Sequence, residues 1–207
     1  MTIKLYSWPM SSGTRVAWAL EELALPYEYV PLDAKKQDHR SPEMLAINPH
    51  GKVPALDDGG LRLFESGAIL LYLGSRYGTA QGLWPEPKAP QALADAVCWT
   101  VWGMTEIGNY MMQTLYHGLD SPVSYKAEDR SHAAAAYNRA QLDRLLDALE
   151  TRLEGRDHLM GDFSLVDVAT ASWLLLGTQL GLPLEGHPRV VAWCTRCAER
   201  PAFQRAR

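Results

Sequence analysis

The sequence predicts an α/β domain of order β-α-β then β-β-α, followed by an all-α domain, and three observations carry that expectation. IKLYS (residues 3–7) and YEYVPL (27–32) are short β-type runs that bracket a helical stretch from Arg15 to Leu23, where Val16, Ala19, Leu20 and Leu23 recur at helical spacing. Residues 78–90, GTAQGLWPEPKAP, concentrate Gly and Pro as a linker does. Beyond them the apolar period is helical almost to the end.

Each element follows in order. After the second β-run come a polar loop, the turn NPHGKVPAL (48–56), two short strands around the Asp57 to Gly60 turn, and a helix from about Ser66 to Tyr77. This places a first domain at 1–79, a linker at 80–90 and a helical domain at 91–207. Within the helical domain, Gln91 to Leu115 reads as one long helix. Ala133 to Leu153 reads as another, with Leu142, Leu145, Leu146, Leu149 and Leu153 on one face, and Leu165 to Leu180 as a third. Ser164 with Asp167 three residues on, flanked by Phe163 and Val168, combines a capping-box-like pair with a hydrophobic staple. The last turns, Val190 to Phe203, are expected to pack back on the helical bundle.

Composition excludes several classes of function. At 207 residues and 47% hydrophobic content the chain can bury one large core or two modest ones, which argues against disorder. Its longest apolar run, near Trp173 to Leu176, is far short of the roughly 20 residues a bilayer span requires, so no membrane is expected and the cytoplasm is the expected location. A net charge of -4 without a basic run argues against nucleic acid. Three cysteines do not make a disulfide framework. Cys194 and Cys197 form a CxxC within a terminal helix and lack a second pair, so they are read as packing residues and no metal is expected.

The most informative segment is NPHGKVPAL, followed by FESGAILLYL. Val53–Pro54 is an X-Pro step in a context that can hold a cis bond, which would turn neighbouring backbone groups outward as a peptide-binding edge. Glu65 and Ser66 stand where the next helix begins, and a helix N-terminus offers free donors to an anionic group.

Five segments, in order, carry a resemblance that covers essentially the whole chain: LYSWPMSSGTRVAWALEEL, HRSPEMLAINPHGKVPAL, FESGAILLYL, the proline-containing linker and GDFSLVD. They resemble the glutathione S-transferase family, HRSPEMLAINP looking most like the phi class and SSGTRV like the theta and zeta classes. The resemblance implies a thioredoxin-like α/β N-terminal domain that binds glutathione, an all-α helical-bundle C-terminal domain that supplies most of a hydrophobic substrate pocket, and a homodimer. It further implies Ser11, by its spacing from Arg15 and Val16, as the donor to the glutathione thiolate, with Ser12 as second choice; the bland alternative is a serine that only caps the helix. Tyr6, near the end of the first strand, is a further candidate, read rather as a core or pocket wall residue.

Carried over by motif, Lys52 and Val53 stand around the cis proline Pro54, with the cysteinyl backbone at Val53; Glu65 and Ser66 take the γ-glutamyl end, and His39 and Arg40 lie near the glycyl carboxylate. Glutathione presents an ammonium with a carboxylate at one end and a lone carboxylate at the other, so an acid plus a helix N-terminus at one side and basic groups at the other is complementary. Tyr6, Trp8 and Met10, with Met104, Tyr110 and Met111 from the helical domain, are the candidates for the wall around a hydrophobic small molecule. Arg15 is a candidate pocket cation, read rather as a helix-face charge or a dimer contact. Gly13 stands where zeta members carry a cysteine, and the first domain has no cysteine. Both facts weigh against the alternatives of an isomerase and a cysteine-based reductase. A dehalogenase and a non-enzymatic glutathione-binding interaction module complete the alternatives.

Overall fold

A computed structural model describes residues 2–206; positions 1 and 207, the outer limits of the two expected domains, lie outside the described residues. The chain divides into two compact units, Met1–Glu86 with Arg200–Arg207, and Pro87–Glu199. The division falls inside the stretch read as a linker, and the C-terminal residues return to the first unit.

In the first unit the order is β1 (Ile3–Ser7), α1 (Gly13–Glu22), β2 (Tyr27–Pro31), α2 (Pro42–Leu45), β3 (Ala55–Asp58), β4 (Leu61–Phe64) and α3 (Ser66–Leu73). The sheet order is β2-β1-β3-β4, with β2 parallel to β1 and the other neighbours antiparallel. A parallel pair needs a crossover, which α1 provides. Ile3, Leu5, Ala55 and Leu56 of the sheet, Val16, Trp18 and Leu20 of α1 and Ile69, Leu70 and Leu73 of α3 are all buried in the core of this unit. The helix expected to reach Tyr77 keeps its α-helical turns only to Leu73, then widens over Gly74–Gly78. There the Trp84 ring fills the space that side chains on Gly74 and Gly78 would need.

The second unit holds α4 (Pro90–Trp102), α5 (Gly108–Gly118), α6 (His132–Arg152), α7 (Leu165–Gln179) and α8 (Pro188–Ala198). The single helix expected over 91–115 is α4 and α5 joined by a wider turn at Gly103–Ile107. Gly103 and Gly108 face Thr170 and Trp173 of α7, and a Cβ on either would come within 3 Å of those side chains. Close approach to α7 thus selects two glycines, and the helix loosens where they fall. At the start of α7 the expected capping box forms: the Ser164 amide donates to Asp167 Oδ2 at 2.9 Å. The shorter carboxylate closes the bond despite its reach. Cys194 and Cys197 are both buried and free, and burial pushes the Cys194 thiol up to about 12, so it stays protonated.

One expectation is corrected. The last turn, α9 (Pro201–Arg205), belongs with the first unit and not with the helical bundle. Phe203 meets the Trp18 ring edge to face at 4.8 Å, and Arg200 clasps Glu22 through two bonds of 2.6 Å. An aromatic contact and a bidentate ion pair hold this tail against α1.

Candidate functional site

Strand register gathers the predicted site residues at one end of the sheet. Tyr6 pairs with Ala55, and Ala55 with Phe64. One step beyond that row stand Ser7 on β1, Pro54 before β3, and Glu65 after β4. The ends of three neighbouring strands therefore converge, each followed or preceded by a motif residue.

The Val53–Pro54 bond is cis, and Val53 precedes the first ladder pair of β3. The loop before it is shaped by buried Asn48, whose Nδ2 donates to the Lys52 carbonyl at 2.7 Å while its Oδ1 accepts from the His50 amide at 3.0 Å. One amide side chain closes the turn from inside. Gly51 takes a positive φ of 55° there, with Arg40 Cγ 3.2 Å from where a Cβ would stand. His39 meets the Trp8 ring edge on at 5.3 Å. His39, Arg40 and Lys52 thus border one loop, and the side chains of Arg40 and Lys52 are exposed.

Glu65 is the N-cap of α3, with φ 64° and an exposed side chain that makes no capping bond. A positive φ at a non-glycine residue is strained and clusters at ligand clamps. Ser66 behind it is buried, and its Oγ accepts from Arg15 Nη1 at 3.2 Å. Arg15 is therefore neither a helix-face charge nor a surface contact: it lies 3% exposed, and burial pulls its pKa down to about 9. It remains a cation at neutral pH, placed behind the first turn of α3.

Ser11 lies in the turn from β1 into α1. Its Oγ donates to the Trp8 carbonyl at 2.7 Å, accepts from the Gly13 amide at 3.1 Å and lies 2.8 Å from Ser7 Oγ. Ser12 is the residue before α1, and its side chain makes no cap bond. It is Ser11, by accepting from Gly13, that tends the helix start. Met10, next in the chain, has φ 55° and is 70% exposed, a large apolar side chain held in water.

The remaining predicted wall residues divide. Tyr6 and Trp8 are half-buried in the first unit, and Met104 and Tyr110 half-buried in the second. Met111 is wholly buried, its sulfur 3.2 Å from where a Cβ on Gly177 would stand, which makes it a core residue of the helical unit. Ser7 and Asn48, which shape this end of the sheet, were not singled out from the sequence, and Arg15 is buried where a surface charge was favoured. Ser7 could have been found from strand alternation, since Ile3, Leu5 and Ser7 share one face. Among the described residues no group of three or more His, Cys, Asp or Glu stands together as metal ligands, and no helix is long and apolar enough to cross a membrane.

Fold and site together define a thioredoxin-like domain with a cis proline at the sheet end and a hydroxyl at a helix start, carried on the same chain as a helical unit. Residues 1–75 match the family model for the glutathione S-transferase N-terminal domain, and 111–201 that for the C-terminal domain. Glutathione S-transferase 1 of Zea mays is 36% identical, the alignment covering 98% of this chain and 94% of that protein. The PARB glutathione S-transferase of Nicotiana tabacum is 34% identical over 98% and 96%. Among solved structures, a glutathione transferase from Burkholderia graminis with two glutathione molecules bound per subunit superposes with a TM-score of 0.85 at 32% identity, covering 99% of this chain and 87% of that one. A glutathione S-transferase-I bound with lactoylglutathione gives 0.84 at 32% identity, over 100% and 98%. The chain belongs to the glutathione S-transferase family.

Proposed function

We propose that the chain is a glutathione S-transferase that binds glutathione in its first unit, stabilises the thiolate with Ser11 and transfers it to a hydrophobic electrophile. The observation that carries this is Ser11 Oγ at the β1–α1 turn, on the same sheet end as cis Pro54 and the Glu65–Ser66 helix start. In this reading the Val53 backbone pairs with the cysteinyl residue, Glu65 meets the γ-glutamyl ammonium, and the first turn of α3, at Ser66, meets the α-carboxylate. His39, Arg40 and Lys52 face the glycyl carboxylate.

Magnitudes support the role of the hydroxyl. A free thiol of pKa about 8.5 is mostly protonated at neutral pH. Turning the Ser11 proton from the Trp8 carbonyl to a sulfur anion exchanges a neutral hydrogen bond of about 0.5–1.5 kcal/mol for a charge-assisted one of about 1.5–3 kcal/mol. The N-terminus of α1 adds roughly 0.3–1 kcal/mol. Together these lower the thiol pKa by about one unit or somewhat more, since each unit corresponds to about 1.4 kcal/mol. The thiol proton leaves to solvent, the sulfur lone pair forms the C–S bond, and with an aryl halide the halide departs with its bonding pair. Exposed Met10 beside Ser11 suits an apolar electrophile.

A homodimer in the cytoplasm belongs to the same proposal. Exposed Val97 and Val101, one turn apart on α4, form the kind of face a second copy covers, and sedimentation velocity reads that state. Catalysis itself is tested by conjugation of glutathione to a generic aryl halide. Ser11→Ala is expected to lower kcat/KM by about tenfold to a hundredfold at neutral pH, the loss of a hydrogen bond to a charged group. Unchanged turnover in Ser11→Ala would reject the donor assignment, and Ser12→Ala run beside it decides between the two serines.

A further inference from the structure

We propose that Ser7 is a positioning residue, donating a hydrogen bond to Ser11 Oγ and so leaving the single Ser11 proton for the glutathione sulfur. This rests on Ser11 as the thiolate donor.

Ser7 is the last residue of β1 and is 0% exposed, on the strand face that otherwise carries Ile3 and Leu5. A hydroxyl in such a place must be bonded to be tolerated. Its Oγ lies 2.8 Å from Ser11 Oγ, an ordinary hydroxyl–hydroxyl distance, and 3.4 Å from the Trp8 carbonyl, which is long for an O–H donor. Ser11 is therefore its better partner.

Proton counting decides the direction. Ser11 Oγ has one proton and two lone pairs, and the Gly13 amide already occupies one lone pair at 3.1 Å. Were Ser11 to donate to Ser7, it would give up both its 2.7 Å bond to the Trp8 carbonyl and any donor for sulfur. With Ser7 as donor, every group is served: Gly13 and Ser7 both donate to Ser11 Oγ, and the Ser11 proton rests on Trp8 until a thiolate takes it. A hydroxyl that accepts two hydrogen bonds is polarised into a stronger donor.

The helix start is shaped around this hydroxyl. A Cβ on Gly13 would fall 1.9 Å from Ser7 Oγ and 2.6 Å from Ser7 Cβ, so only glycine lets α1 begin against Ser7. The same glycine supplies the amide that bonds Ser11. One residue thus clears room for the first donor to Ser11 and is itself the second.

The test is ultraviolet titration of the thiolate of bound glutathione, with the pH profile of kcat/KM, for wild type, Ser7→Ala and Ser11→Ala. Ser7→Ala is expected to keep the glutathione Kd within about twofold while kcat/KM falls about threefold to tenfold at neutral pH, the worth of one neutral hydrogen bond. The bound thiol should titrate at higher pH, and activity should recover as pH rises. Ser7→Gly removes the same hydroxyl and carries the measurement if Ser7→Ala fails to fold. A Ser7 variant whose thiol titrates like wild type, or whose activity falls equally at every pH, overturns the proposal and leaves Ser7 a packing residue. If Ser11→Ala also titrates like wild type, it is the Ser11 assignment that has failed, and this inference falls with it.

Discussion

Glu21 shows how a single side chain can tie the edge strand to the helices of the first unit. Its carboxylate accepts from the Tyr27 hydroxyl at 3.2 Å and from Arg205 Nε at 2.6 Å. Burial, and then the charge of Glu21, raises the Tyr27 phenol from the ordinary 10 to about 12. A group with a raised folded pKa lends stability that is complete below its unfolded pKa and is lost as pH rises through the folded one. Stability is therefore expected to fall between about pH 10 and about pH 12 in wild type, more steeply than in Tyr27→Phe. Urea midpoints across that range measure it, and parallel curves would remove the assignment. At this scale the sequence was informative where a motif carries its own context, as at the cis bond before Pro54 and the helix start at Glu65. It was silent where the partner is set by the tertiary turn: Ser7 meets Ser11 across a non-helical bend, and Arg15 meets Ser66 across 51 positions. No periodicity reports such pairs, and a charge at a helical position reads as solvated by default.

Among elements, α7 is the one whose start the sequence marked most clearly, through Ser164 and Asp167. The structure adds what the cap signal does not contain. Asp167 is fully buried and also accepts from the Leu159 amide at 2.9 Å and from Trp193 Nε1 at 2.9 Å. It joins the preceding loop, the cap of α7 and α8 through one carboxylate. Asp167→Ala leaves four donors without their acceptor, the amides of Leu159 and Ser164, the Ser164 hydroxyl and Trp193 Nε1, and is expected to cost about 3–5 kcal/mol. Ser164→Ala, which keeps that carboxylate, should cost about 1 kcal/mol. Denaturant unfolding compares the two, and equal losses would show that the network adds nothing to the cap. The wider turn at Gly103–Ile107 was not legible, because an apolar period records which face is buried and not how closely another helix approaches.

For the whole molecule, both fold classes and their order could be read from hydrophobic period and the Gly/Pro-rich stretch, since those signals are local. The return of residues 200–206 to the first unit could not, because a helical pattern near the end of the sequence does not say which core it joins. Phe203 on Trp18 makes the tail part of the first unit's core. Phe203→Ala is expected to destabilise by about 3–5 kcal/mol, the usual cost of truncating a buried aromatic. Thermal unfolding with and without glutathione checks this, and a loss below about 1 kcal/mol would show the tail to be dispensable. The proposed function requires this sheet end to hold a peptide thiol and to favour its anion. Its most direct test is the pKa of the thiol of bound glutathione in wild type and Ser11→Ala. A value about one unit or more below the free thiol, moving back toward it in Ser11→Ala, is the expected result. A bound thiol that titrates like free glutathione in wild type would contradict it.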